Sequence, residues 1–173
     1  MTWVAPKIMG VVNTTPDSFS DGGQFLELES ALSHARLLVS QGATIIDVGG
    51  ESTRPGAMRV SLEDEQARVM PVIKAIKAEL EVEVSVDTMN AETAKLAVLA
   101  GADYVNDVSG GLADKIMFAT IAPLGCKYIL GHWRGHSNVM DQLTGYQDIA
   151  KDVVAELSEQ VAMAVAAGIE RSR

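Results

Sequence analysis

Gly42-Ala43-Thr44-Ile45-Ile46-Asp47-Val48-Gly49-Gly50-Glu51-Ser52-Thr53-Arg54-Pro55-Gly56 runs from a short apolar strand straight into a loop of glycines, hydroxyls and charges. A strand this short with apolar side chains on both faces needs cover on both sides, which is the habit of parallel sheets flanked by helices. The glycines admit close approach of a ligand or another backbone, while Glu51, Ser52, Thr53 and Arg54 supply an acid, two hydroxyls and a guanidinium. Pro55 holds Arg54 extended and so stiffens part of the loop.

The same unit recurs on either side. Upstream, Lys7 to Val12 reads as a strand, residues 13–23 as a turn-rich loop, and Leu28, Ala31, Leu32, Ala35, Leu38 and Val39 as one face of a helix that stops at Gly42. Downstream, Ser61 and Asp64 open a second helix in capping-box style, with Glu63 and Glu65 against its positive end. Pro71 falls inside that helix and predicts a kink or a break. Val82 to Val86 is a third strand, Ala91 to Ala100 a helix, Tyr104 to Val108 a fourth strand, and about Ala113 to Ala122 a helix ended by Pro123 and Gly125. Lys127 to Leu130 makes a fifth strand. The last helix carries Ile149, Val153, Leu157, Val161 and Val165 at four-residue steps and stops at Gly168. Five strand-helix units in a row mean a parallel sheet with right-handed crossovers, either an open doubly wound sheet or part of a barrel, in a single domain spanning residues 1–173.

Composition bounds the partners. The 173 residues are 47% hydrophobic and 21% charged, enough for one sizeable core. A net charge of -9 argues against nucleic acid or an anionic membrane surface as partner. No apolar run reaches the ~20 residues that would span a bilayer. A single cysteine, Cys126, forms no internal disulfide and is expected in the core, and the expected compartment is the cytoplasm.

In both parallel architectures, functional groups come from the carboxyl ends of the strands. Here those ends carry Asn13, Asp47, Asp87, Asn106 with Asp107, and His132. Any one of them reads as a cap or turn residue, but five in succession strain that reading. There is no G-x-G-x-x-G after the first strand and no G-x-x-x-x-G-K-[ST], so a plain nucleotide fold loses weight. His132 and His136 lie in turn-like sequence and read as a structural or exposed pair rather than a metal site. Oxygen-rich first loops suit Mg²⁺ better than zinc. Asp87 with Asn106 fits either a planar heterocycle with an amino-imino edge or a core pair that pins adjacent strands.

Asn13-Thr14-Thr15-Pro16-Asp17-Ser18-Phe19-Ser20-Asp21-Gly22-Gly23 and Gly42 to Gly56 resemble the two signature stretches of the dihydropteroate synthase family, and Ser85-Val86-Asp87-Thr88 and Asn106-Asp107 match its third and fourth strand ends. The resemblance implies a (β/α)8 TIM barrel, of which this chain supplies about the first five units. It also implies condensation of p-aminobenzoate with 6-hydroxymethyl-7,8-dihydropterin diphosphate to dihydropteroate and diphosphate. By position, Asn13 is implied to help hold Mg²⁺, and Asp17, Phe19 and Arg54 to act in catalysis. Asp47, Ser52, Thr53, Pro55, Asp87 and Asn106 are implied to bind substrate, with a homodimer as the usual assembly.

A whole barrel takes ~250 residues. The family pattern continues with an Asp-Pro-Gly block, a Ser-Arg-Lys block and an Arg-x-His, so the expectation is a C-terminally incomplete barrel whose activity on its own is not implied. Gly131 stands where many relatives have a methionine, and Trp133 is expected to supply the missing apolar cover. The competing readings are a pterin-binding methyltransferase, against which the first two loops argue, and a non-catalytic partial barrel.

Overall fold

A computed structural model describes residues 5–14, 23–52, 54 and 56–173, and the backbone alone of 23–26. Its strands are β1 (Met9–Asn13), β2 (Ile45–Gly49), β3 (Glu83–Asp87), β4 (Tyr104–Asp107) and β5 (Lys127–Leu130). They alternate with α1 (Gly23–Ser40), α2 (Leu62–Glu79), α3 (Ala91–Leu99), α4 (Met117–Ile121) and α5 (Ile149–Ala166). All pairings are parallel and the spatial order is β1-β2-β3-β4-β5. An open doubly wound sheet reverses its order at a switch point, whereas a barrel adds each strand beside the last, so the order decides for a partial (β/α)8 barrel.

The pleat sorts the residues onto two faces. Val12, Val48, Val86 and Val105 form one row across four strands, with Ile46 and Val84 a step earlier, and none is more than 1% exposed. They pack under Ala31, Leu32 and Ala35 of α1, Val69, Ile73 and Ile76 of α2, and Ala94 and Ala97 of α3. Burying a side chain such as Val or Ile contributes about 1.5–3 kcal/mol, so this valine layer holds the sheet to its helices. Cys126 is buried in the same core, as expected.

The opposite, concave face is polar. Val11, Asp47, Ser85 and Tyr104 share one row, and Asn13, Gly49, Asp87 and Asn106 share the next. At the amino end of this face, Lys7 and Lys127 each bond Glu83 and the Tyr104 hydroxyl. On the outer edge of β5 the Tyr128 N–H donates to Arg173 O at 3.0 Å, the position a further parallel strand takes. The Arg173 guanidinium donates to the carbonyls of Cys126 at 2.9 Å and Ala122 at 3.0 Å.

Three expectations need correction. Of the kink or break expected at Pro71 the break is absent, since α2 is continuous: the proline and Ala67, whose carbonyl loses its partner, both face solvent, while Val69, Val72, Ile73 and Ile76 anchor the buried side. α4 starts at Met117 rather than near Ala113, because the Asp114 carboxylate is drawn to the Ala91 N–H at 2.9 Å at the start of α3. In α5 the ends of the apolar stripe, Ile149 and Val165, stay exposed, and the helix docks through buried Gln160 and Ala164, with Gln160 Nε2 donating to Ser109 O at 3.1 Å. β5 has the bounds read from the sequence, and the other strands differ from that reading by at most two residues, as in β1, which starts at Met9 and ends on Asn13.

Candidate functional site

The carboxyl ends of β1 to β4 build one polar row. Glycine at position 49 leaves a gap between its neighbours: a Cβ there would lie 3.4 Å from Asp87 Oδ2 and 3.6 Å from Asn13 Oδ1. Asn13 and Asp87 therefore lean over the same spot, with Asn106 beside Asp87 in register. Thr14 pins the exit of β1, its N–H and its hydroxyl both donating to Gly49 O, at 2.8 and 2.9 Å.

Asp47 lies one row deeper and is 3% exposed. It accepts from Asn106 Nδ2 at 3.0 Å, which fixes the amide so that its oxygen is turned away from Asp47. Burial pushes the Asp47 carboxyl above the usual carboxylate range. The neighbouring Ser85 hydroxyl and the Asn106 amide offset part of this rise, although Ser85 Oγ and Asp47 Oδ1 are each without a well-formed hydrogen bond. Asp87 goes further, to about 7: burial is the main cause, followed by the negative charges of Asp47, Asp107, Glu65 and Glu51. A carboxyl poised near neutrality at a strand end is a recurrent mark of function.

The loop after β2 is braced rather than open. Arg68 donates to Gly50 O at 2.9 Å, Arg59 pairs with Glu51 at 3.2 Å, and the Gly56 N–H donates to Ser137 O at 3.0 Å. Gly50 is required there, since a Cβ would stand 2.9 Å from Val69 Cγ1 and 3.1 Å from Glu65 O. Ser52 is half-buried and accepts from the Arg54 N–H at 3.4 Å, and Arg54 itself is exposed at the rim. Asp17, Phe19, Thr53 and Pro55 lie outside the described residues.

Two of the strand-end residues turn away from the row. Asp107, fully buried, accepts from Ser109 N and Oγ, Gly111 N and the Tyr128 hydroxyl at 2.6–2.9 Å, so it ties the loop after β4 to β5. His132 bonds Glu156 of α5 at 2.7 Å. Glu156 also takes the Arg134 guanidinium, and these two partners, Arg134 first, hold its carboxyl down to about 2. His132 is thus a brace for the loop after β5. Among the described residues no group of three His, Cys, Asp or Glu is arranged to hold a metal ion. Asn13, an exposed oxygen donor, suits a hard cation that takes its other ligands from substrate and water.

A cleft of about 220 Å³ lies between these loops, its lining including Glu51, Ser52, Met89, His132, Trp133 and His136. Gly131 has no room for a methionine in this backbone, because its Cβ would meet Val108 O at 2.6 Å. Trp133 lines the cleft and meets His136 edge to face at 4.9 Å.

Glu65 was not legible as a site neighbour from its acidic character, which points to the helix dipole. Its spacing with Val69, Val72 and Ile76 does place it on the buried face of α2.

Residues 9–173 match the family model described as pterin binding enzyme. The dihydropteroate synthase of Synechocystis sp. is 46% identical over 157 residues, covering 91% of this chain and 54% of that relative. The dihydropteroate synthase of Clostridium difficile, in the presence of pteroic acid, superposes with a TM-score of 0.87 at 41% identity, over 95% of this chain and 60% of that one. The Yersinia pestis dihydropteroate synthase in a sulfonamide drug complex gives the same TM-score of 0.87 at 41% identity, again over 95% and 60%. The chain spans between half and two thirds of the length of these relatives.

Proposed function

This chain belongs to the pterin-binding enzyme family, and from that premise we propose that it carries the pterin-recognition part of a dihydropteroate synthase. The observation that supports this most is the row Asn13, Gly49, Asp87 and Asn106, in which the amide of Asn106 is held in one orientation by Asp47. Ionised Asp87 accepts from the amino and ring N–H groups of the pterin, and Asn106 Oδ1 offers a second acceptor beside it. Asp47 acts through Asn106 rather than on the ring. The gap above Gly49 lets the ring lie flat against the backbone.

In the reaction, the p-aminobenzoate nitrogen attacks the pterin methylene carbon, the carbon–oxygen bond breaks, and the diphosphate leaves with the bonding electrons. The amine then loses its proton. The chain positions both partners and offsets the charge that develops on the leaving group. Arg54, exposed at the rim, is proposed to contact the diphosphate, a need made sharper by the net charge of -9. Asp17, Phe19, Ser52, Thr53 and Pro55 are proposed for the p-aminobenzoate and diphosphate end. Asn13 is proposed as the protein ligand of Mg²⁺, which would neutralise diphosphate charge. No helix among the described residues is long and apolar enough to cross a membrane. A homodimer in the cytoplasm is proposed as the working form.

Calorimetric titration tests the reading. p-Aminobenzoate or a sulfonamide is expected to bind only when diphosphate and Mg²⁺ are present with the pterin. Binding of methyltetrahydrofolate without diphosphate would point to a methyl transfer enzyme and overturn it.

A further inference from the structure

Glu65 is 1% exposed on α2, among Val69, Val72, Ile73 and Ile76. An aliphatic residue would satisfy that packing, and a buried carboxylate without a cation costs several kcal/mol unless strong hydrogen bonds replace its water. Glu65 has three such bonds, all short and all from neutral donors: Thr88 Oγ1 at 2.6 Å, Asn90 Nδ2 at 2.8 Å and Thr93 Oγ1 at 2.6 Å. The donors come from the turn that leaves β3 and from the first turn of α3. Thr88 directly follows Asp87, its N–H donates to Asn106 O at 3.1 Å, and its hydroxyl accepts from the Asn90 N–H at 3.1 Å. Asn90 Oδ1 in turn receives Arg59 at 3.3 Å, and Arg59 holds Glu51 in the loop after β2.

We propose that Glu65 is a positioning residue for the pterin site: its grip on Thr88, Asn90 and Thr93 sets the direction of Asp87, and Asn90 and Arg59 extend that grip to the loop after β2. The inference rests on the proposed pterin site for its effect on binding, but its first readout does not. The carboxylate also acts by charge. The acids around Asp87 are Asp47 from β2, Glu51 from the loop after β2, Asp107 from β4 and Glu65 from α2. The nearby cations Arg59 and Arg68 are engaged at Glu51, Asn90 and Gly50 O.

Carboxyl-carbon NMR of the chain, comparing wild type with Glu65→Gln, follows Asp87 directly. The midpoint, near 7 in the wild type, is expected to fall by about half a unit to one unit in the variant. Binding of 6-hydroxymethyl-7,8-dihydropterin is expected to weaken about tenfold at about pH 8, and by less at about pH 6, where the lower midpoint restores ionised Asp87. A purely packing role would leave the midpoint in place, and an unchanged midpoint overturns the inference. If Glu65→Gln does not fold, Thr88→Val removes one grip and keeps the charge. It is expected to move the Asp87 and Asn106 amide signals, and unmoved signals overturn the inference equally. A wild type that titrates as stated but binds no pterin would count against the proposed function alone.

Discussion

Asp87→Asn is expected to stabilise the chain above neutral pH and to abolish pterin binding. Burial and the surrounding acids push the Asp87 carboxyl from its ordinary 3.8 up to about 7 in the folded chain. Below about pH 4 the carboxyl is protonated in both states and costs nothing extra. As pH rises from there towards 7 the unfolded chain ionises while the folded chain keeps its proton, so stability falls, and the loss is complete above the folded midpoint. A separation of roughly three units corresponds to about 4 kcal/mol as an upper figure. Asparagine carries no such penalty, so denaturant unfolding at about pH 8 should show a gain of about 2–4 kcal/mol that fades towards pH 4. The same change turns an N–H₂ towards ring donors and should weaken pterin binding by roughly a hundredfold or more. A variant that shows no gain at high pH, or binds the pterin normally, contradicts the account of Asp87.

The second large effect is expected at Asp107. Its carboxylate satisfies two backbone N–H groups, the Ser109 hydroxyl and the Tyr128 hydroxyl, in a place with no solvent to replace it. Asp107→Ala leaves those donors unpaired and should cost about 4 kcal/mol in urea unfolding. Asp107→Asn keeps one acceptor oxygen and should cost roughly half as much. A loss within about 0.5 kcal/mol for the alanine variant would mean that the loop finds other partners.

The two predictions belong to adjacent strand ends yet have opposite signs, which is the central feature of this site. Asp107 is buried with every lone pair directed at a donor, so it stabilises the fold. Asp87 is half-buried among other acids with its acceptor capacity aimed into the concave face, so it costs stability that a ligand can recover.

Much of this was readable in the sequence. Short apolar strands, helices ending in glycine and polar residues at each strand end sufficed for a parallel α/β chain with its site at one rim, and the signature stretches for the barrel. What was not readable involves competition between distant groups. Asp114 looks like a residue of a helix start, but its carboxylate is shared between the Ala91 N–H of α3 and the Ile116 N–H just ahead of α4, which starts later than expected. Pro71 is tolerated because of which face of α2 it occupies. His132 sits at a strand end like the others and lines the cleft, and only the arrival of Glu156 from α5 shows that its ring is already held. Asp47 reads as a ligand group by position, and what the sequence did not show is its depth and its bond to the Asn106 amide. Asp17, Phe19, Thr53 and Pro55 rest on the resemblance and on the proposal built from it.

The most direct test is an NMR titration of the labelled chain with 6-hydroxymethyl-7,8-dihydropterin at several pH values. The account predicts saturable shifts at Gly49, Asp87 and the Asn106 side-chain amide, with affinity falling about tenfold per pH unit below about 7 as Asp87 takes up its proton. Saturable shifts centred instead on Lys7, Glu83 and Lys127 at the opposite end of the sheet, or an affinity indifferent to pH, would contradict it.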